Sequence, residues 1–228
     1  MNRSKWSIRR PRFYYGWVVV IVAALGGFSA STETYPVLSI FLKPITGEFG
    51  WTRAAFTGPL TIGGILGSLA AIVTGPLVDK FGPRWALAGA YTVLGISFVL
   101  MSLIGNLGQF YGVQIIARSM NTGVLAVASA VIVPNWFIIK RGRATALSAL
   151  GFPAGAAVMP LLIQAIIAGA NWRLASIAAG IIIVAVSALP TALFLRRRPE
   201  DIGLLPDGAA HQNGDVTPTH DLRITRDE

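Results

Sequence analysis

Two ionisable side chains, Glu33 and Arg118, stand deep inside apolar sequence that carries almost no other charge. A charge in such a setting is costly, and it is retained where it pairs with another charge, binds a polar ligand or moves a proton. A carboxylate and a guanidinium support three chemistries here. They can neutralise each other and lock two helices together. Arg118 can grip a substrate carboxylate through a charge-assisted, bidentate contact. Or Glu33 can take up a proton when a substrate draws Arg118 away. All three stay open at this point. Gln114 lies four residues before Arg118 and Thr122 four after it, so the three share one helix face. Asn121 and Gln164 add further hydrogen-bonding groups to the apolar stretches.

The elements that must carry these residues are membrane helices. Hydrophobic residues make up 54% of the 228-residue chain, only 13% are charged, and the mean hydropathy is +0.62, which a water-soluble domain does not tolerate. Charge-free stretches run from Ala54 to Val78, Trp85 to Ala117, Ser119 to Ile139, Ala144 to Trp172 and Leu174 to Leu195. Each reaches the roughly 20 residues that cross about 30 Å of hydrocarbon. A first run from Phe13 to Thr32 is expected to continue past Glu33 to about Phe41, and the glycines of Gly105-Asn106-Leu107-Gly108 split the longest stretch. The expectation is an all-α membrane protein with six transmembrane helices in residues 13–198, a basic N-terminus over 1–12 and a polar, largely disordered tail over 199–228. Continuous apolar runs, not alternating ones, argue against a β-barrel. With ends near Phe41 and Phe110, Glu33 and Arg118 each lie about eight residues, roughly 12 Å, below the same membrane face.

Basic residues divide unevenly between the helix ends. One side receives Arg3, Lys5, Arg9, Arg10, Arg12, Lys80, Arg84, Lys140, Arg141, Arg143 and Arg196 to Arg198; the other receives Lys43, Arg53 and Arg173. Both termini are therefore expected on the cytoplasmic side of an inner or plasma membrane. The formal charge of +9 is a topology signal, and no nucleic-acid partner is implied. The bilayer is the expected surrounding, with aromatic residues such as Tyr14, Tyr15, Trp17, Trp51, Trp136 and Trp172 as interfacial anchors. The chain has no cysteine, which removes thiol catalysis and thiolate metal sites, and His211 and His220 stand isolated in the polar tail. Neither cofactor, metal nor enzyme chemistry is expected.

Between the second and third apolar runs lies Gly75-Pro-Leu-Val-Asp79-Lys80-Phe-Gly82-Pro-Arg84. It reads as a tight, charged reverse turn in which Gly75 and Pro76 loosen the end of one helix, Gly82-Pro83 stops the chain, and Lys80 and Arg84 sit at the headgroups. Small residues gather at Gly63, Gly64, Gly67 and Ser68, and again at Gly151, Ala154, Gly155 and Ala156 near Pro153 and Pro160. Such stripes let helices approach closely.

The spacing Gly-x-x-x-Asp-Lys-x-Gly-x-Arg resembles the loop between helices two and three of the major facilitator superfamily. Tyr14-Tyr15-Gly16-Trp17, Phe41-Leu-Lys-Pro44, Glu48-Phe-Gly-Trp-Thr-Arg-Ala54, Asn135-Trp-Phe137 before Arg141-Gly-Arg-Ala144, Asn171-Trp-Arg173 and Pro199-Glu-Asp-Ile-Gly-Leu204 together resemble its oxalate/formate antiporter and monocarboxylate porter branch. The resemblance implies secondary transport of small mono- or dicarboxylates. It also implies a 3+3 arrangement of helices equivalent to the N-terminal half of a twelve-helix fold, completed by a second six-helix half or a second copy. The alternative is a six-helix remnant or interaction subunit without transport. In the family, helices one and four line the central cavity, which makes Arg118, Glu33 and Gln114 the candidates for substrate binding or coupling. Gly75, Asp79, Lys80, Gly82 and Arg84 are the candidates for a conformational latch. Gly151, Gly155 and Pro160, loosely similar to the helix-five motif of antiporters, are the candidates for gating or packing.

Overall fold

A computed structural model describes residues 14–197 together with Pro199 and Leu204, and for Asp79 and Phe81 the backbone without the side chain. The expected basic N-terminus and almost all of the expected tail, with His211 and His220, lie outside the described residues. Six helices long and apolar enough to cross a membrane follow one another: α1 Gly16–Phe49, α2 Arg53–Phe81, α3 Pro83–Met101, α4 Leu107–Trp136, α5 Arg141–Gly169 and α6 Trp172–Phe194. Among the described residues there is no strand.

Short polar residues decide where helices begin. Thr52 accepts from Ala55 N at 3.2 Å, Asn106 from Gln109 N at 2.9 Å and Asn171 from Leu174 N at 2.8 Å, so α2, α4 and α6 start on the same kind of side-chain cap at the same end of the bundle. At the opposite end Gly82 takes φ +84° and Pro83 opens α3, a reversal that only glycine makes without strain.

Three expectations are corrected. First, α1 does not end near Phe41; it continues through an exposed Lys43 and through Pro44 to Phe49, where Gly50 at φ +67° stops it. At 1.5 Å per residue, α1 is longer than the hydrocarbon is thick. Second, the helix ends from which the two depths were reckoned move, to Phe49 and Leu107, although Glu33 and Arg118 do lie at one level, with Arg118 Nη1 2.7 Å from Glu33 O. Third, α2 runs unbroken through Gly75 and Pro76 to Phe81, so Asp79 and Lys80 belong to its last turn and the reversal is confined to Gly82.

The helices pair as α2 with α4, α5 with α1 and α3 with α6. This set is unchanged when the first three helices are exchanged with the last three, as a 3+3 arrangement requires. Each pair meets through glycine. A methyl at Gly63 would stand 2.7 Å from Arg118 Cβ, one at Gly151 would overlap the Ala24 carbonyl, and one at Gly180 would stand 2.5 Å from the Gly95 carbonyl oxygen.

Candidate functional site

The string Ser31-Thr32-Glu33-Thr34 interrupts α1. Ser, Thr and Glu side chains compete with the backbone for its hydrogen bonds, and Pro36 has no N–H to offer the carbonyl one turn back. Ser31 Oγ donates to Phe28 O at 2.7 Å and Thr34 Oγ1 to Ser31 O at 2.6 Å. Ser31–Glu33 form a 3₁₀ turn, Thr34 is extended (φ −93°, ψ 155°), and the helix restarts at Tyr35. The break leaves main-chain carbonyls in an apolar interior, where an unpaired carbonyl costs several kcal/mol, about what burial of any unbonded amide costs.

Helix α4 supplies the missing donors, one turn after another. Gln114 Nε2 donates to Glu33 Oε1 at 2.6 Å, Arg118 Nη1 to the main-chain oxygen of Glu33 at 2.7 Å, and Asn121 Nδ2 to Ala30 O at 3.3 Å. Directly after Arg118, α4 itself loosens into a π-helical stretch, Met120–Leu125. Irregular winding in both partners at one level marks the place where the ladder of a regular helix has been given up for side-chain contacts, the usual context of π-turns at functional sites.

The ion pair considered from the sequence does not form as a carboxylate–guanidinium contact. Arg118 holds the backbone of Glu33, and its carboxyl goes to Gln114. Glu33 is fully buried, and among the described residues Glu33 Oε2, Thr32 Oγ1 and Arg118 Nε are buried without a hydrogen-bond partner. The guanidinium lies 5.2 Å from the centre of the Tyr35 ring, a cation–π distance. It borders two cavities. One of 420 Å³ lies among α1, α4 and α5 and is reached by Gly27, Asn121, Ser129 and Phe152; the other, of 470 Å³, lies among α1, α2 and α4 and is bordered by Tyr35, Gly64 and Ser68. Arg118 is therefore a cation that no carboxylate contacts among the described residues, half-buried between two spaces of small-molecule size.

The other sequence candidates lie elsewhere. Gly151 and Gly155 pack α5 against Ala24 and Phe28 of α1, next to the first cavity, while Pro160 sits further along α5. Lys80 lies exposed at the end of α2, Gly75 has open space where a side chain would be, and Gly82 packs on the Arg197 stem. Arg84 is tied to a neighbouring helix: its Nε donates to Ala192 O at 3.0 Å and its Nη2 to the same oxygen, closing the last turn of α6. Several of the expected aromatic anchors do the same work. Tyr14 donates to Trp136 O at 2.6 Å, Tyr15 to Phe194 O at 2.6 Å and the buried Trp136 to Arg196 O at 3.3 Å. At the other end Trp172 Nε1 donates to Glu48 Oε2 at 2.6 Å, and Arg173 pairs with Glu48 at 2.7 Å. The interruption of α1 and the roles of Asn121 and Tyr35 escaped the sequence reading; the run of side-chain hydroxyls ahead of Tyr35-Pro36 was the signal for the first.

The chain is similar in sequence to known proteins. Residues 9–221 match the family model described as Major Facilitator Superfamily. The chain is 26% identical over 152 residues to a protein named Oxalate:formate antiporter from Oxalobacter formigenes, a match covering 66% of this chain and 34% of that protein. It is 29% identical over 152 residues to Uncharacterized transporter ESBP6 from Saccharomyces cerevisiae, covering 64% of this chain and 22% of that one. The matched segment thus spans about a third of one relative and about a fifth of the other.

Proposed function

Because the chain belongs to the major facilitator superfamily, we propose that it serves secondary transport of small organic anions, mono- or dicarboxylates, with Arg118 as the group that holds the substrate carboxylate. One observation carries the reading: the Arg118 guanidinium stands between two cavities, bonded to a main-chain oxygen and, among the described residues, to no carboxylate, with its Nε unpartnered. A planar cation in a low-dielectric interior favours a small carboxylate, because the anion supplies both the missing charge and two acceptors. The name of the Oxalobacter relative supports oxalate and formate as first substrates to try.

The surroundings follow from the same reading. The excess of Arg and Lys at the Gly82 end supports cytoplasmic termini in a plasma membrane, with residues 199–228 as a cytoplasmic segment. Transport by rocking of one body against another requires a second six-helix half or a second copy. The apolar faces of α2 and α5, with Ile65, Leu69 and Ile72 exposed on one and Leu161 on the other, support such a neighbour beside lipid.

Equilibrium binding of labelled oxalate to the purified chain in detergent tests the proposal without requiring a complete transport cycle. Saturable binding is expected, weakened at least tenfold in Arg118→Ala, since a hydrogen bond to a charged group contributes about 1.5–3 kcal/mol. Binding that is unchanged in Arg118→Ala, or absent for oxalate, formate and acetate alike, sinks it. In liposomes, exchange of labelled oxalate should follow the same order of variants.

A further inference from the structure

Resting on that reading of Arg118, we propose that Gln114, Arg118 and Asn121 form a clasp that holds the interruption of α1 shut, and that anion capture by Arg118 opens it. The clasp is unusual in what it grips. Two of its three bonds end on main-chain carbonyls, Glu33 O and Ala30 O, which an intact helix would have satisfied internally; the third ends on the Glu33 carboxyl. The bonds therefore do more than join two helices. They replace the ladder of α1 at the one level where Ser31–Thr34 have removed it.

The same guanidinium that an anion would take is the middle rung. Arg118 Nε is buried, so a carboxylate that takes two parallel donors from the terminal Nη1/Nη2 edge must draw Nη1 off the Glu33 carbonyl. Anion and backbone compete for it. When the anion wins, Glu33 O is released, and the segment from Ser31 to Thr34, already non-helical, is free to change its dihedral angles. Helix α4 is prepared for the same movement, because its π-helical stretch Met120–Leu125 begins two residues after Arg118 and contains Asn121. Binding energy at one side chain thus passes into the angle between the two parts of α1, which bury Val19 and Val20 on one side of the break and Val37, Leu38 and Phe41 on the other.

Linkage fixes the sign. If the anion binds the opened form better, weakening the other rungs opens the clasp in advance and tightens anion binding. A residue that merely supported the site would weaken binding when removed. The chain has no cysteine, so labels at Ile21→Cys and Ser39→Cys, both exposed and on opposite sides of the break, report alone. An unbroken helix would separate these positions by about 27 Å. Electron–electron distance measurement on the full chain is expected to give a narrow distribution without anion and a shifted, broader one with oxalate. In Asn121→Ala and Gln114→Ala the broader distribution should be present before oxalate is added, with oxalate affinity increased up to about fivefold, the equivalent of one lost hydrogen bond. Asn121→Gln, which keeps an amide donor, should restore the narrow distribution, and Thr57→Ala, near the start of α2 and outside both cavities, should behave as the parent. Two outcomes overturn the proposal: anion-free distributions of Asn121→Ala and Gln114→Ala that match the parent, or a parent distribution that oxalate leaves unmoved although it binds. If oxalate does not bind, the reading of Arg118 fails, and the anion-free distributions still decide whether the clasp exists.

Discussion

The contact of α3 with α6 and the crossing of α1 with α4 place backbone close to backbone with opposite consequences. At the first, Gly95 and Gly180 lie against each other, Ser176 donates its hydroxyl to the Phe98 carbonyl, and Leu94, Phe98, Ala179 and Ile183 are buried around them. At the second, polar side chains replace a broken ladder, and three buried polar atoms have no partner among the described residues. The second also borders two cavities that the half-buried Arg118 reaches. Only the first leaves nothing over, and that separates a contact that fixes a shape from one that can exchange its partners for a ligand.

The largest effect should come from breaking the closed contact. Gly180→Val would drive a side chain into the Gly95 carbonyl and Val99, at 2.5 and 2.7 Å, and the expected loss of at least about 1–3 kcal/mol should appear as a marked fall of the unfolding temperature in detergent. A variant that melts with the parent would show that the pair is loosely packed. Arg118→Ala should reverse the balance, lowering oxalate binding at least tenfold while moving the melting temperature less than Gly180→Val does. Tyr35→Ala removes the ring beside the guanidinium and should weaken oxalate binding a few-fold, in line with about 0.5–2 kcal/mol for a cation–π contact, with Tyr35→Phe close to the parent. Equal effects of Ala and Phe would mean that the hydroxyl matters and the ring face does not. The smallest change belongs to Glu48→Gln. Its pair with Arg173 is roughly 40% exposed on both sides, so a loss below about 1 kcal/mol is expected, shrinking further in salt.

Much of this was legible in the residue order. Apolar length marked all six helices, Gly82-Pro83 and Gly105 to Gly108 marked two of the turns, and the isolation of Glu33, Arg118 and Gln114 in apolar sequence singled out three residues that the fold brings together. What escaped was decided by hydrogen-bond choice. Whether Arg118 takes the carboxyl of Glu33 or its carbonyl depends on α1 being open at that residue, and hydropathy does not register an opening made by four small and polar residues. For Tyr14, Tyr15 and Trp136 hydropathy also did not register that their polar atoms close helix ends within the bundle, with Trp136 fully buried. The end of α1 was set too early for a similar reason: a lysine on an exposed helix face extends to water without stopping the helix.

The π-helical stretch of α4 sets a phase. A π-turn holds one residue more than an α-turn, so every side chain beyond Leu125 is rotated by about 100° from where a regular helix would have carried it. Ala128, Ile132 and Trp136 reach the interior, and Ser129 the open side, only because of that extra residue. Deleting one residue between Met120 and Leu125 would leave composition and hydropathy nearly untouched and turn the whole second part of α4 about its own axis. A cysteine introduced at Ser129 would then lose its access to a water-soluble thiol reagent. Angular position in this helix is thus written as a count of residues, one that a mutation can change without altering the chemistry of any side chain.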